Sequence, residues 1–278
     1  MTAADRPLAD WRVLVTRPEG DTAGPFAEAL AVAGATPVLY PTIVVAPPPS
    51  WEPLDAAIDL VGSQERLVGS QARTSDYGWA IFTSPSAVGF TLGRVTARGL
   101  TVQVLAGLRL AAVGSETART LAAAGLPVAL VPPTDRQRQE GLLEALLAAL
   151  PAPDAAGARI LFPQALGGRE LVRDELVRRG YAVDVVPVSQ TIARDLTEPP
   201  PPFDVATFAS PSALRAFVER LGGERLAQAR VAVIGPTTAA TAAGLGVRVD
   251  AMPPNPSVPA LVQCLIDLRK RASGETIG

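Results

Sequence analysis

The sequence predicts an α/β protein of two domains, each built on a buried parallel sheet. Three observations predict it. The chain has 278 residues, where one domain takes roughly 100–200. Short continuous apolar runs alternate with amphipathic stretches rich in Ala and Leu, the pattern of strands covered by helices on both faces. The chain also repeats itself. "FTSPSAVGF" (Phe82–Phe90) is echoed by "FASPSALRAF" (Phe208–Phe217), and "LAAVGSETARTLAAAGLPV" (Leu110–Val128) by "VAVIGPTTAATAAGLGV" (Val231–Val247). "RVLVTRPEG" (Arg12–Gly20) is answered by "RILFPQALGG" (Arg159–Gly168), so the chain reads as two copies of one five-strand pattern.

In chain order, the apolar runs place strands at Arg12–Thr16, Pro37–Tyr40, Ala80–Thr83, Leu110–Val113 and Val128–Val131. The second set is Arg159–Phe162, Ala182–Val186, Val205–Ala209, Val231–Ile234 and Arg248–Ala251. Helical periodicity covers Gly24–Ala33, Pro85–Arg98, Glu116–Ala124, Gln139–Leu150, Gly168–Arg179, Pro211–Leu221, Thr237–Ala243 and Val258–Lys270. Trp51–Gly78, with its echo "VGSQERLVGSQAR", reads as a surface helix plus loop. Pro41–Ser50 and Val186–Pro202 are Pro-rich and irregular, and suit crossings between domains. If the chain crosses at both, the first domain is discontinuous.

Composition excludes several chemistries. The chain has no His, which removes Ser-His-Asp and Cys-His catalysis and the commonest metal ligand. Its one Cys, Cys264, lies in an apolar helical pattern and is read as a core residue; it cannot form an internal disulfide or a cysteine-rich zinc site. The one Lys, Lys270, stands near the end of the chain, which argues against a Schiff-base or P-loop lysine. A net charge of −2 gives no basic field for nucleic acid or an acidic membrane. Met1–Asp10 shows no signal peptide and no apolar run is long enough to span a bilayer, so a cytoplasmic setting is expected.

The residues suited to chemistry cluster in turns between a strand end and a helix. These are Thr83–Ser86, Gly114–Thr117, Ser210–Ser212 and Gly235–Thr238. Each sets hydroxyls at a helix cap or first turn, and three carry Pro near the first helical position, where its missing N–H costs nothing. For any one turn, plain capping is sufficient explanation. Together they fall where parallel α/β sheets bind ligands, beside helix N-termini with free N–H groups. Two further turns, Thr16–Gly20 and Pro163–Arg169, join them. A site of amides, hydroxyls and a few arginines suits holding a polyanion in a chosen shape. No G-x-G-x-x-G dinucleotide fingerprint follows the first strand.

These stretches resemble the uroporphyrinogen-III synthase family. The resemblance is carried by "VLVTRP", "WAIFTSPSAV", "AAVGSETARTLAAAG", "RILFPQALGGRELVRDELVRRGYAVDVVPV", "ATFASPSALRAF", "VAVIGPTTAATAAGLG" and "PNPSVPALVQCL", in order from Arg12 to about Leu268. It implies two flavodoxin-like lobes with parallel sheets. Lobe 1 would take residues 1–41 and 191–278, lobe 2 residues 46–187, and 42–45 and 188–190 would be the linkers. It also implies a lyase of tetrapyrrole biosynthesis, without metal or cofactor and acting as a monomer. The substrate would be hydroxymethylbilane, an octa-carboxylate linear tetrapyrrole handed over by hydroxymethylbilane synthase. The reaction would remove water and close the ring with the last pyrrole inverted through a spiro intermediate.

On that reading the carboxylate contacts are Ser84, Ser86, Ser115, Thr117, Ser210, Ser212, Thr237 and Thr238, joined by Arg17, Gly168 and Arg169. Many family members carry a Tyr in the second linker, in a V-Y-x-T pattern, proposed to assist departure of the hydroxyl. Here the run is Val188-Ser189-Gln190-Thr191, so Ser189 takes that place, and Tyr40 is the alternative group. The rival reading is a two-lobed sensor of small anions or nucleotides, which binds without turnover. A DNA-binding regulator fits less well, since "RKRASGETIG" is a short basic stretch, read as a solvated tail.

Overall fold

The computed structural model describes residues 6–18, 24–65, 77–155 and 158–273. The strands are β1 (Arg12–Val15), β2 (Thr36–Leu39), β3 (Ile43–Ala46), β4 (Tyr77–Phe82), β5 (Arg109–Ala112), β6 (Val128–Leu130), β7 (Arg159–Ala165), β8 (Val183–Ala193), β9 (Val205–Phe208) and β10 (Arg230–Val233). The α-helices are α1 (Gly24–Val32), α2 (Glu52–Glu65), α3 (Pro85–Ala97), α4 (Ser115–Ala123), α5 (Gln139–Ala149), α6 (Leu171–Arg178), α7 (Pro211–Leu221), α8 (Glu224–Ala227), α9 (Pro236–Gly244) and α10 (Val258–Ser273). Among the described residues, no helix is long and apolar enough to cross a membrane.

The chain divides into two compact units, residues 1–45 with 191–278, and residues 46–190. The first holds the sheet β10-β9-β1-β2, all parallel, with a single bridge from Ala251 to Ala232 beyond β10. In order of appearance this is 2-1-3-4 with the start of a fifth strand, the flavodoxin-like arrangement. The second unit carries β8-β7-β4-β5-β6, also parallel; β3, where the chain passes from the first unit to the second, is hydrogen-bonded to β8. Counted from β7, this order is again 2-1-3-4-5. The copies therefore share one topology, but the chain enters the second at its third strand. Register agrees as well: Val13 stands opposite Val205, and its counterpart Ile160 opposite Trp79.

Both faces of each sheet are covered, which is why the strands are apolar throughout. In the first unit, Phe26, Leu30, Leu261 and Leu265 of α1 and α10 pack on one face. On the other, Leu214 and Phe217 of α7 pack with Phe208, whose ring meets Phe217 edge-to-face at 5.6 Å. In the second unit α2, α3 and α4 cover one face and α5 and α6 the other. Truncating a buried ring such as Phe208 or Phe162 would cost about 3–5 kcal/mol.

The opening edge of each sheet is held by an arginine at the first residue of its leading strand. Arg12 donates from Nε and its second terminal nitrogen to Asp204, both at 3.0 Å. Its counterpart Arg159 reaches Asp184 at 2.9 and 2.6 Å, and Tyr77 donates its hydroxyl to the same carboxylate. Burial, then the Asp184 carboxylate, push the Tyr77 phenol far up, so it stays a donor. The duplicated arginine thus finds its acid at a different neighbour in each copy, Asp204 just before β9 and Asp184 within β8.

Several expectations are corrected. Arg248–Ala251 is not a strand; only Ala251 bridges, because "VRVD" carries two charged residues beside the sheet edge. The helix expected from Gly168 begins at Leu171, since Gly167 (φ 71°) and Gly168 form a turn. The stretches expected as linkers are extended: Ile43–Val45 lie in β3 and Val188–Gln190 in β8, with Thr42 just before β3. Cys264 is half-buried at the margin of the core, where burial pushes its thiol up. The basic stretch Arg269–Arg271 is helical, as the last turns of α10. Of Trp51–Gly78, α2 is seen and 66–76 lie outside the described residues.

Candidate functional site

The candidate site forms at the carboxyl ends of the parallel strands. In a 2-1-3-4-5 sheet the connections turn opposite ways on either side of strands 1 and 3, which leaves a crevice between their ends. In the first unit this point lies between β1, followed by Arg17, and β9, followed by Ser210. In the second it lies between β7, followed by Gly168 and Arg169, and β4, followed by Ser84. Each switch point therefore sets an arginine turn beside a serine turn.

The serines are helix caps. Ser84 Oγ accepts from the Ala87 amide at 3.1 Å, and Ser210 Oγ from the Ala213 amide at 3.2 Å, with Pro85 and Pro211 next in each helix. A capping hydroxyl used as acceptor keeps its own O–H as a donor, which suits a carboxylate. Ser86 and Ser212 sit exposed in the first turns. Ser86 also opens onto an apolar groove of about 390 Å³ along α3, walled by Trp51, Phe90 and Arg94.

The fourth-strand turns differ. α4 and α9 are capped by Gly114 and Gly235, which offer no side chain. Gln137 takes over at α4: its Oε1 accepts from the Ser115 amide at 3.0 Å and lies 3.2 Å from Ser115 Oγ. A Cβ at Gly114 would stand 2.9 Å from that oxygen, at the end of the flexible Gln137 side chain. At α9 the equivalent residue is Pro236, which has no N–H to satisfy. Ser115 and Thr237 are exposed, whereas Thr117 and Thr238 are each only 2% exposed and face inward. Nothing in the sequence pairs Gln137 with a turn 22 residues earlier.

Arg17 lies 5.6 Å over the Phe26 ring, and burial lowers its pKa. Arg169 is exposed and Gly168 half-buried. Ser189 is 2% exposed in β8, its carbonyl accepting from Leu166. The Tyr40 hydroxyl donates to the Glu198 carbonyl at 2.5 Å; burial is the first cause raising its pKa. Two features escaped the sequence reading. Thr16 and Thr207 exchange hydroxyl bonds to each other's strands, Thr16 Oγ1 to the Thr207 carbonyl and Thr207 Oγ1 to the Leu14 carbonyl, both 2.7 Å. Thr42 Oγ1 donates to the Ala213 carbonyl at 2.9 Å in the first turn of α7. Among the described residues, no three Cys, Asp or Glu gather as a metal site.

Fold and turns together define a duplicated, doubly wound α/β protein that presents hydroxyls, arginines and helix N-termini at its strand ends. The family model described as Uroporphyrinogen-III synthase HemD matches residues 24–263. A uroporphyrinogen-III synthase of Synechococcus elongatus is 31% identical over 264 residues, covering 89% of this chain and 91% of its own. The chain belongs to the uroporphyrinogen-III synthase family, a family of enzymes. In fold it resembles the uroporphyrinogen-III synthetase of Helicobacter pylori (TM-score 0.60, 17% identity, 93% of this chain and 99% of that one). A mutant uroporphyrinogen III synthase of Thermus thermophilus is similar too (TM-score 0.51, 18% identity, 94% and 99%).

Proposed function

We propose that the protein converts hydroxymethylbilane to uroporphyrinogen III, and does so mainly by positioning its substrate. The observation that carries this is the paired serine cap: two helix N-termini, one per copy, each with a hydroxyl donor, at the switch points of two anion-suited sheets. Family membership supports the reaction.

The chemistry asks little else of the protein. The C–O bond of the hydroxymethyl group breaks, the hydroxyl leaves as water with one added proton, and the electron-rich pyrrole carries the cation. Attack on that cation by the unsubstituted position of the last ring gives the type I product. Attack by the substituted carbon gives the spiro intermediate; the original bond from that carbon to its methylene bridge then breaks, the freed methylene bonds to the unsubstituted position, which loses a proton, and the ring is left inverted. A hundredfold preference between the two corresponds to roughly 2.7 kcal/mol. One or two hydrogen bonds to carboxylates, at about 1.5–3 kcal/mol each, are enough to set it.

In this proposal Ser84, Ser86, Ser115, Ser210, Ser212 and Thr237, with Arg17 and Arg169, hold the carboxylates, and Gly168, whose amide is engaged by the Ala165 carbonyl, shapes the turn that carries Arg169. Thr117 and Thr238 act through the shape of their turns, because their side chains face inward. Ser189 and Tyr40 are the groups expected to assist departure of the hydroxyl. Ser189 is closed off and the Tyr40 hydroxyl is engaged, so departure rests on electron push from the pyrrole. The same reading takes the protein as a cytoplasmic monomer supplied by hydroxymethylbilane synthase. The test is the isomer formed from fresh hydroxymethylbilane: type III above an enzyme-free control supports the proposal, and type I alone refutes it.

A further inference from the structure

Gln137 joins two turns on the strand-end rim of the second unit. It lies in the loop after β6, and its side chain reaches back to the turn between β5 and α4. β5 and β6 are parallel neighbours, so both turns stand at the same end of the sheet. Gln137 Oε1 accepts twice from Ser115, from the amide at 3.0 Å and from the hydroxyl at 3.2 Å. A carboxamide oxygen has two lone pairs, and both are thereby taken. An amide N–H needs an acceptor, so the oxygen must be the atom that faces Ser115, and the carboxamide nitrogen points the other way. That nitrogen, Nε2, carries two N–H donors that have no partner among the described residues and remain open to solvent. Ser115 is exposed, yet both of its donors are turned to Gln137. The donor this pair offers outward is therefore the Gln137 amide. The first unit has no equivalent. There Pro236 stands where Ser115 does, and the space beside Gly235 is taken by Pro256, 3.2 Å from where a Cβ would stand. Neither proline has an N–H.

We infer that Gln137 Nε2 donates to a carboxylate of the substrate, and that Ser115 serves this contact by fixing the Gln137 amide. The inference rests on the proposed reading of the substrate as an octa-carboxylate linear tetrapyrrole. The acceptors of such a substrate are its carboxylates and one hydroxymethyl oxygen, whereas its ring nitrogens are donors and cannot meet Nε2. Charges around the two turns are mixed: Arg119 and Arg138 stand against Glu116 and Glu140, and Arg136 is paired with Glu144. A neutral donor held in one orientation contributes here by direction rather than by attraction, and direction is what selects one ring-closing pose over another. With prolines at the matching place in the first unit, the two copies offer different contacts to a substrate whose two ends differ.

The test is Gln137→Glu. One carboxylate oxygen keeps the bonds from Ser115, and the other puts an acceptor where the two outward donors were. A carboxylate is also favourable at a helix N-terminus, so the variant should melt at the parent's temperature or slightly above it. Its KM for hydroxymethylbilane should rise about tenfold, the worth of one hydrogen bond to a charged group. The ratio of its KM to the parent's should persist in about 1 M salt, where the screening length is only about 3 Å and distant repulsion is lost. A KM within twofold of the parent's would overturn the inference. So would a rise that vanishes at high salt, since that is general repulsion and not a lost contact. A melting temperature lower by more than about 2 °C would overturn it too, because the Gln137 oxygen would then not be the atom facing Ser115. If the parent itself makes no type III product, it is the proposed function that fails.

Discussion

Ser84 and Ser210 occupy one structural position in two copies. Their backbones agree within a few degrees (φ −160°, ψ 152° and φ −156°, ψ 154°), and each caps its helix through the amide three residues on. Such a cap is worth about 1 kcal/mol. Ser84→Ala and Ser210→Ala should each lower stability by that amount in denaturant unfolding. Asp caps as well as Ser but offers no donor and adds negative charge. Ser84→Asp should therefore hold stability while raising KM about tenfold or more, a split that capping alone cannot produce.

Gln137 closes the N-terminus of α4 from a distant loop. Gly114→Ala forces a Cβ to 2.9 Å from its oxygen, and should cost about 1–3 kcal/mol by displacing the bond to the Ser115 amide. Gln137→Ala, which removes the same bond without the clash, should cost less. Thermal unfolding of the two variants checks the order.

Tyr40→Phe removes the bond to the Glu198 carbonyl and should cost about 0.5–1.5 kcal/mol of stability. Turnover should stay within about twofold, because the hydroxyl is engaged and its pKa raised. A loss of a hundredfold in kcat would instead assign the phenol to proton transfer.

Acid should destabilise both units. The Arg94 hydrogen bonds hold Asp55 below its ordinary 3.8, and those of Arg12 do the same for Asp204. A depressed folded-state pKa stabilises the protein above the unfolded value and ceases to as pH falls through the folded one. The melting temperature should be level from pH 7 to about 5 and fall below about pH 4. Asp55→Asn and Asp204→Asn should melt slightly below the parent at pH 7 and draw level with it at low pH. The effect is small, because these partly exposed pairs are screened by solvent.

Most elements were legible in the sequence because apolar runs and helical periodicity reflect burial on both sheet faces. β3 was not. "IVVA" is framed by Pro41 and Pro47, and reads as part of an irregular stretch. The sequence predicts β8 only as far as Val186, because Pro187 lacks an N–H and argues against a strand interior. The structure accommodates it with a register shift: Gln164 faces Pro187 and Ala165 faces Ser189, passing over Val188. The serine caps were legible because capping is local. Gln137 and the Thr16–Thr207 exchange were not, because each depends on which elements become neighbours.

The most direct measurement is the isomer composition of uroporphyrin, oxidised from the product of purified protein and freshly generated hydroxymethylbilane. Predominantly type III is expected, with the type III share reduced in Ser84→Asp. Type I alone, at the rate seen without protein, would contradict it and leave a two-unit anion-binding protein without turnover.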